Sequence, residues 1–333
     1  MNWTRRDLGR LAVIGVPAQL LPPAAARAAG LQSARPNSKW AGVQVGMNVP
    51  YNFGGRTMPA GEILSRCVQL GVGAVELRGQ PIETVLGAPV MSAAAQATPK
   101  EGADGGLLEL EQEVLKEAAA QAKQTFASQR RTWRGSVDLA PLARLRQQYE
   151  SAGVLIEIVK WDDLAVMSDE ELDYAFRVSR ALGARALSTE ISAAGPRRIG
   201  PVADKHQLFV GFHGHASTGP AEYAATFEHG RFVGANVDIG HWVAGDHGDP
   251  LPFLREHVGR ITHIHVKDRR ANDGPNTPFG EGDTPIRAVL QAMRDNKWPF
   301  QATLEFEYRV PEGSDRMKEL ARALAYCRDC LLQ

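Results

Sequence analysis

Three cysteines in 333 residues are too few for a disulfide-built scaffold. Two of them, Cys327 and Cys330, form a CxxC near the C-terminus. A zinc site there would need two further ligands nearby, and none is visible. The spacing reads as neighbours one turn apart on a helix, with a disulfide as the alternative. Net charge is absent too: 38 basic residues balance 38 acidic ones. No basic excess therefore points to nucleic acid or to an anionic membrane. No GxGxxG follows the first candidate strand, which leaves a dinucleotide site without support. No apolar run reaches the about 20 residues a membrane-spanning helix needs.

What is present begins with MNWTRRDLGR, the short apolar run LAVIGVPAQLLP and the small-residue run AAARAAG. A positive start, an apolar core and the Ala26-Arg27-Ala28 site make a secretory signal. The paired Arg5-Arg6 after Thr4, with Leu8 beyond, resembles a twin-arginine export signal. Residues 1–28 are expected to be removed, leaving an exported, periplasmic protein with no stable membrane insertion.

From residue 40 onward, strand-like and helix-like segments alternate. Candidate strands are VQVGMNV (43–49), AVELR (74–78), VLIEIVKW (154–161), RALSTEI (185–191), LFVGFHGH (208–215), GANVDIG (234–240), ITHIHVK (261–267) and ATLEFEY (302–308). Amphipathic stretches lie between them. Ser168 with Glu171 forms a capping-box pattern, and Gly153 and Gly183 sit at expected helix ends. Eight such units predict an α/β (β/α)8 TIM barrel over 40–333, with an open doubly wound sheet as the alternative. Residues 85–135 break the rhythm with LLELEQEVLKEAAAQAKQTFASQRR, which predicts an inserted helix.

In ITHIHVKD, side chains alternate between two faces. Ile264 and Val266 share one face, and His263, His265 and Lys267 share the other. The same alternation sends Asn236 and Asp238, Glu305 and Glu307, Ser188 and Glu190, His213 and His215, and Glu76 and Arg78 inward. Strands four to eight thus each deliver acid or imidazole late, on the barrel-facing side. Converging carboxylates without compensation are costly, and barrel active sites form at the C-terminal face. One divalent metal ion held by Glu190, Asp238, His265 and Glu305 resolves that cost. Three carboxylates and one imidazole suit Mn²⁺, Mg²⁺ or Co²⁺, with Zn²⁺ as an alternative.

The set TEIS, FHGH, VDIGH, HIHVKD, GEGDTPI and LEFE, in this order, resembles the xylose isomerase-like barrels. These include sugar isomerases, ketose 3-epimerases and inosose dehydratases. The resemblance implies proton abstraction beside a carbonyl through a metal-stabilised enediolate, with Glu190 and Glu305 as the catalytic pair. It implies His213, His215, His241 and Lys267 as substrate-binding residues, and His263 as a residue packed deeper in its strand. FHGH departs from the HNH-type segment by carrying Gly214 in place of Asn. The expected activity is a sugar or keto-sugar isomerase or epimerase. The alternatives are a lyase or dehydratase acting on a 3-keto-glycoside or keto-cyclitol, and an exported sugar-binding protein without catalysis. An apurinic-site endonuclease would need further ligands and a basic groove. The expected partner is a small carbohydrate, with no nucleic acid; a homo-oligomer is compatible with the sequence.

Overall fold

The computed structural model describes residues 35–55, 57–91 and 109–333. The expected signal, 1–28, and residues 92–108 of the expected insertion lie outside the described residues. Eight parallel strands close into a barrel: β1 (Val43–Val49), β2 (Ala74–Arg78), β3 (Leu155–Lys160), β4 (Ala186–Glu190), β5 (Phe209–His213), β6 (Val233–Asp238), β7 (Ile261–Val266) and β8 (Gln301–Leu304). Each pairs with its sequence neighbour, and β8 returns to β1. Parallel neighbours need a crossover, and helices between successive strands supply it.

Alternation sorts the side chains. Val45, Met47, Leu187, Val210, Phe212, Val237, Ile264 and Val266 face the surrounding helices and are buried. The opposite positions carry Asn48, Glu76, Ser188, Asn236, His263, His265 and Thr303, equally buried. The interior of this barrel is therefore polar along much of its length. Buried polar groups need partners, so that interior is tied together by hydrogen bonds between strands. The β2–β3 register shifts between Val75 and Glu76, and the β6–β7 register between Ala235 and Asn236. Such bulges re-aim the residues beside them.

Local signals act as their chemistry dictates. The hydroxyl of Ser168 accepts from the backbone N–H of Glu171, and the Glu171 carboxylate accepts from that of Ser168. This capping box starts the helix Asp169–Ala181. Gly183, at φ +77°, follows its end. Cys327 and Cys330 lie on the C-terminal helix Arg316–Leu332, buried and free.

A 28-residue helix, Glu109–Ser136, precedes β3. Its last turns are locked to the barrel. Arg134 is buried and donates to Glu83 at 2.8 Å and to Glu171 at 3.0 Å, and Arg130 donates to Glu83 at 2.7 Å. Between Lys116 and Gln129 the helix is mostly exposed. Among the described residues no helix is long and apolar enough to cross a membrane.

Candidate metal centre

Strand register sets the site. Glu190, last in β4, stands beside His213, last in β5. Asp238, last in β6, stands beside His265 of β7. Glu305 follows β8 directly, and its backbone N–H donates to the carbonyl of Val266 at 3.0 Å. All five side chains thus meet at the C-terminal mouth of the barrel.

His213, Asp238, His265 and Glu305 each offer a ligand atom, and these atoms lie within 4.8 Å of one another. Three of the four ligands expected from the sequence are in this set. The fourth member is His213, where Glu190 was expected. Glu190 stands one step outward, in a separate set with His213 and His215. Its Oε1 takes the Lys160 ammonium at 2.6 Å. Its Oε2 lies 2.8 Å from His213 Nδ1 and 2.8 Å from His215 Nε2.

Each central imidazole is oriented by a carboxylate on its far side. His265 Nε2 lies 2.7 Å from Glu76 Oε2. That partner takes the Nε2 proton and turns Nδ1 towards Asp238 and Glu305, at 3.8 and 3.3 Å. His265 Nδ1 is buried and has no hydrogen-bond partner among the described residues. Glu190 acts in the same way on His213: it accepts from Nδ1 and leaves Nε2 facing Asp238 Oδ2 at 3.5 Å. A metal-binding histidine is held by this kind of outer partner. Asp238 has one oxygen fixed as well. As the N-cap of the helix Ile239–Ala244, its Oδ1 accepts from the His241 backbone N–H at 2.8 Å. Its Oδ2 points to the centre.

The electrostatics call for positive charge here. Burial alone would lower His265, yet Glu305 and Glu76 carry its pKa up to about 10. Burial opposes the charge of Lys267 too, but Asp238, Glu305 and Glu307 outweigh it and keep the ammonium charged. Lys267 Nζ lies 3.0 Å from Asp238, 3.0 Å from Glu305 and 2.7 Å from Glu307. The donor set of two imidazoles and two carboxylates, with an unpaired buried nitrogen aimed inward, fits one divalent cation. It favours no particular ion among Mn²⁺, Mg²⁺, Co²⁺ and Zn²⁺.

The rim is less uniform. His241 is half-buried, with Nε2 2.8 Å from Lys267 Nζ and Nδ1 2.8 Å from Arg269. Burial, helped by Lys267, pushes His241 down to about 4, so its ring is neutral at pH 7. His215 is about half exposed, and its bond to Glu190 raises its pKa. For Glu190, burial favours the acid form, but the bonds from His213 and His215 hold the carboxyl far below the usual range. His263 lies deep in β7, buried against Glu76 and Thr262, and burial pushes it down to about 4.

Other residues at the site carry weaker sequence signals. Asn48 donates to Glu305 Oε1 at 2.9 Å; it is inward by the alternation of VGMNV, a signal that could have found it. Asn236 Nδ2 lies 3.0 Å from His265 Nε2. Arg78 is bound to Asp162 at 2.7 Å. Trp161, which follows β3, is buried edge-on against Tyr174.

The likenesses to known proteins fall on this same architecture. The family model described as "Xylose isomerase-like TIM barrel" matches residues 190–330, a stretch that holds every residue expected at the site. An inosose dehydratase of Salmonella typhimurium is 28% identical over 140 residues, 35% of this chain and 46% of the relative. The matched part thus spans about half the length of that relative. Among solved structures, a probable 3-DHS dehydratase from Bacillus anthracis has a TM-score of 0.54 at 14% identity, covering 85% of this chain and 98% of that one. A D-psicose 3-epimerase solved with D-fructose has a TM-score of 0.53 at 14% identity, covering 87% and 99%. The fold of this chain is a (β/α)8 barrel of the xylose isomerase-like kind.

Proposed function

We propose that this protein is a metal-dependent lyase that removes a proton beside a carbonyl of a sugar-like substrate and expels the β-oxygen substituent. The observation that carries the choice of elimination is the state of Glu190. Isomerisation or epimerisation by the pair Glu190 and Glu305 requires both carboxylates to take a proton. Both oxygens of Glu190 are taken by basic partners, Oε1 by Lys160 and Oε2 by His213 and His215, whereas Glu305 is so held through Oε2 alone. The bond to Glu190 favours the protonated form of His215, and the ring is about half exposed and aligned by that carboxylate, so it carries a proton to give.

A divalent ion in the cluster would polarise the carbonyl and offset the charge that develops on its oxygen. The protein groups divide the rest. Glu305 takes the proton from carbon through Oε1, which meets only the neutral amide of Asn48, while Oε2 stays with Lys267 and His265. The C–H electrons form the new double bond, and the C–O bond to the leaving group breaks. His215 gives its proton to the departing oxygen. Lys267 and the neutral His241 line the same mouth and are placed to hold substrate hydroxyls. The dehydratase names of the relative and of one structural neighbour support this reading. The paired arginines and the apolar run at the N-terminus support export, which suits a substrate without phosphate.

The test is turnover in heavy water with Mn²⁺, Mg²⁺ or Co²⁺, across a panel of keto-sugars, keto-cyclitols and 3-keto-glycosides. Deuterium entering beside the carbonyl together with release of water or aglycone is the expected result. Exchange with an epimer or isomer and no release would return the epimerase reading. Sugar binding that ignores a chelator, with no exchange at all, would point to a binding protein.

A further inference from the structure

Beside the cluster a cavity of about 590 Å³ opens between the segment after β1 and the segment after β8. Its wall includes Tyr51, Asn276, Phe306, Glu307, Tyr308 and Arg316. Glu307 joins it to the site: Oε2 meets Lys267 at 2.7 Å, and Oε1 accepts from the Tyr51 hydroxyl at 2.8 Å. Three features show that the cavity is built to receive something. Three of the eight wall residues are aromatic, and aromatic walls pack against flat or pyranose rings. Arg316 lies over the Phe306 ring at 4.7 Å, and its one side-chain hydrogen bond among the described residues goes to the carbonyl of Asn52 at 3.3 Å. Asn276 Oδ1 is buried and has no partner among the described residues. The volume falls within the range of pockets that enclose drug-sized ligands, beyond what one sugar ring at the cluster would use.

We propose that this cavity is a second subsite, which takes a ring joined through oxygen to the reacting sugar, so that the substrates are glycosides rather than free monosaccharides. The inference rests on the lyase reading for the identity of the reacting ring. Under it, the second ring is the group expelled. It packs along the wall formed by Tyr51, Tyr308 and the Arg316 guanidinium that covers Phe306, and its polar substituents reach Asn276 and Arg316.

The probes are the methyl and phenyl β-glycosides of one keto-hexose, measured by calorimetry on the full chain loaded with Mn²⁺. The phenyl compound is expected to bind at least tenfold more tightly. Gly55→Trp should bring that ratio down towards one, because Gly55 also lines the cavity and a Cβ there meets nothing within 4 Å, which leaves room for an indole to occupy the space. Arg316→Ala should lower the ratio as well. Equal binding of the two probes by the unmodified protein, no binding of either, or a ratio untouched by Gly55→Trp overturns the subsite. Absence of exchange with every substrate would end the proposed chemistry, while the binding ratio would still decide the subsite.

Discussion

Glu76 Oε2 on β2 lies 2.7 Å from His265 Nε2 on β7, although these strands are not neighbours in the barrel. The contact crosses the interior and joins residues 189 positions apart. It decides which imidazole nitrogen faces the cluster. Glu76→Leu should therefore weaken metal binding by about 10–100-fold, the usual cost of losing an outer partner of a ligating histidine. Glu76→Gln keeps an acceptor oxygen and should lose less. Chelator competition with elemental analysis measures both. In the unmodified protein a chelator should lower the melting temperature and added Mn²⁺ should restore it, since an ion at 100 times its Kd stabilises by about 2.7 kcal/mol. Equal affinity in Glu76→Leu and the parent would show that His265 is not held for an ion.

The division of labour between Glu305 and His215 separates two measurable events. Glu305→Gln should abolish both deuterium exchange and release of the leaving group. His215→Gln keeps the proton acceptor on carbon, so exchange should persist while release falls by about 10²–10⁴-fold, the range for loss of a general acid. The readouts are proton NMR in heavy water and quantification of released aglycone or product alkene. If release in His215→Gln matched the parent, the acid would have to be another group.

Asp238, His265 and Glu305 were legible because a strand sends every second side chain inward, and each lies late in its strand. The same rule put Glu190 and His213 on the inner face but could not rank them. Which one reaches the centre depends on where β4 and β5 end and on Lys160, which draws Glu190 aside at 2.6 Å. Sequence spacing holds no measure of that distance. The Arg134 network was invisible because Glu83 and Glu171 lie 51 and 37 positions away, with no local pattern linking them.

That network ties the helix Glu109–Ser136 to the barrel, and its removal has a defined cost. Arg134→Met leaves Glu83 to Arg130 and Glu171 to Ser168 and Arg131, so the loss should fall below the about 3–5 kcal/mol of a buried charge left wholly unpaired. The pH dependence has a sign. Burial raises the Glu171 carboxyl, but the Ser168 backbone N–H and Arg134 outweigh it and lower its pKa. A lowered carboxyl stabilises fully above its unfolded value of about 4.3, and that stability is lost as pH falls through the folded value. The gap between parent and Arg134→Met should be constant above about pH 5.5 and narrow below about pH 4.3. Urea denaturation across a pH series measures it, and a gap that widens in acid would rule out the Glu171 contribution.

The loop after β7 is organised around one buried carboxylate. Asp268 accepts from the backbone N–H groups of Gly280 at 2.8 Å, Gly282 at 3.0 Å and Thr284 at 3.2 Å. A Cβ at Gly282 would overlap Asp268 Oδ1 and come within 2.7 Å of Thr277 Oγ1. Gly282→Ala must therefore push the loop off its anchor, and overpacking of this kind costs about 1–3 kcal/mol. The effect should reach the site by a short path. Thr284 Oγ1 accepts from the Arg269 backbone N–H at 3.0 Å, and the Arg269 guanidinium holds His241 Nδ1 at 2.8 Å. Once Arg269 is displaced, His241 loses its support at the substrate mouth, while the four cluster residues stay on their strands. KM should rise more than kcat falls, and metal content should not change. Denaturation, steady-state kinetics and elemental analysis on Gly282→Ala give the three readings. A fall in kcat with KM unchanged would place the loop in the chemistry instead of in substrate holding.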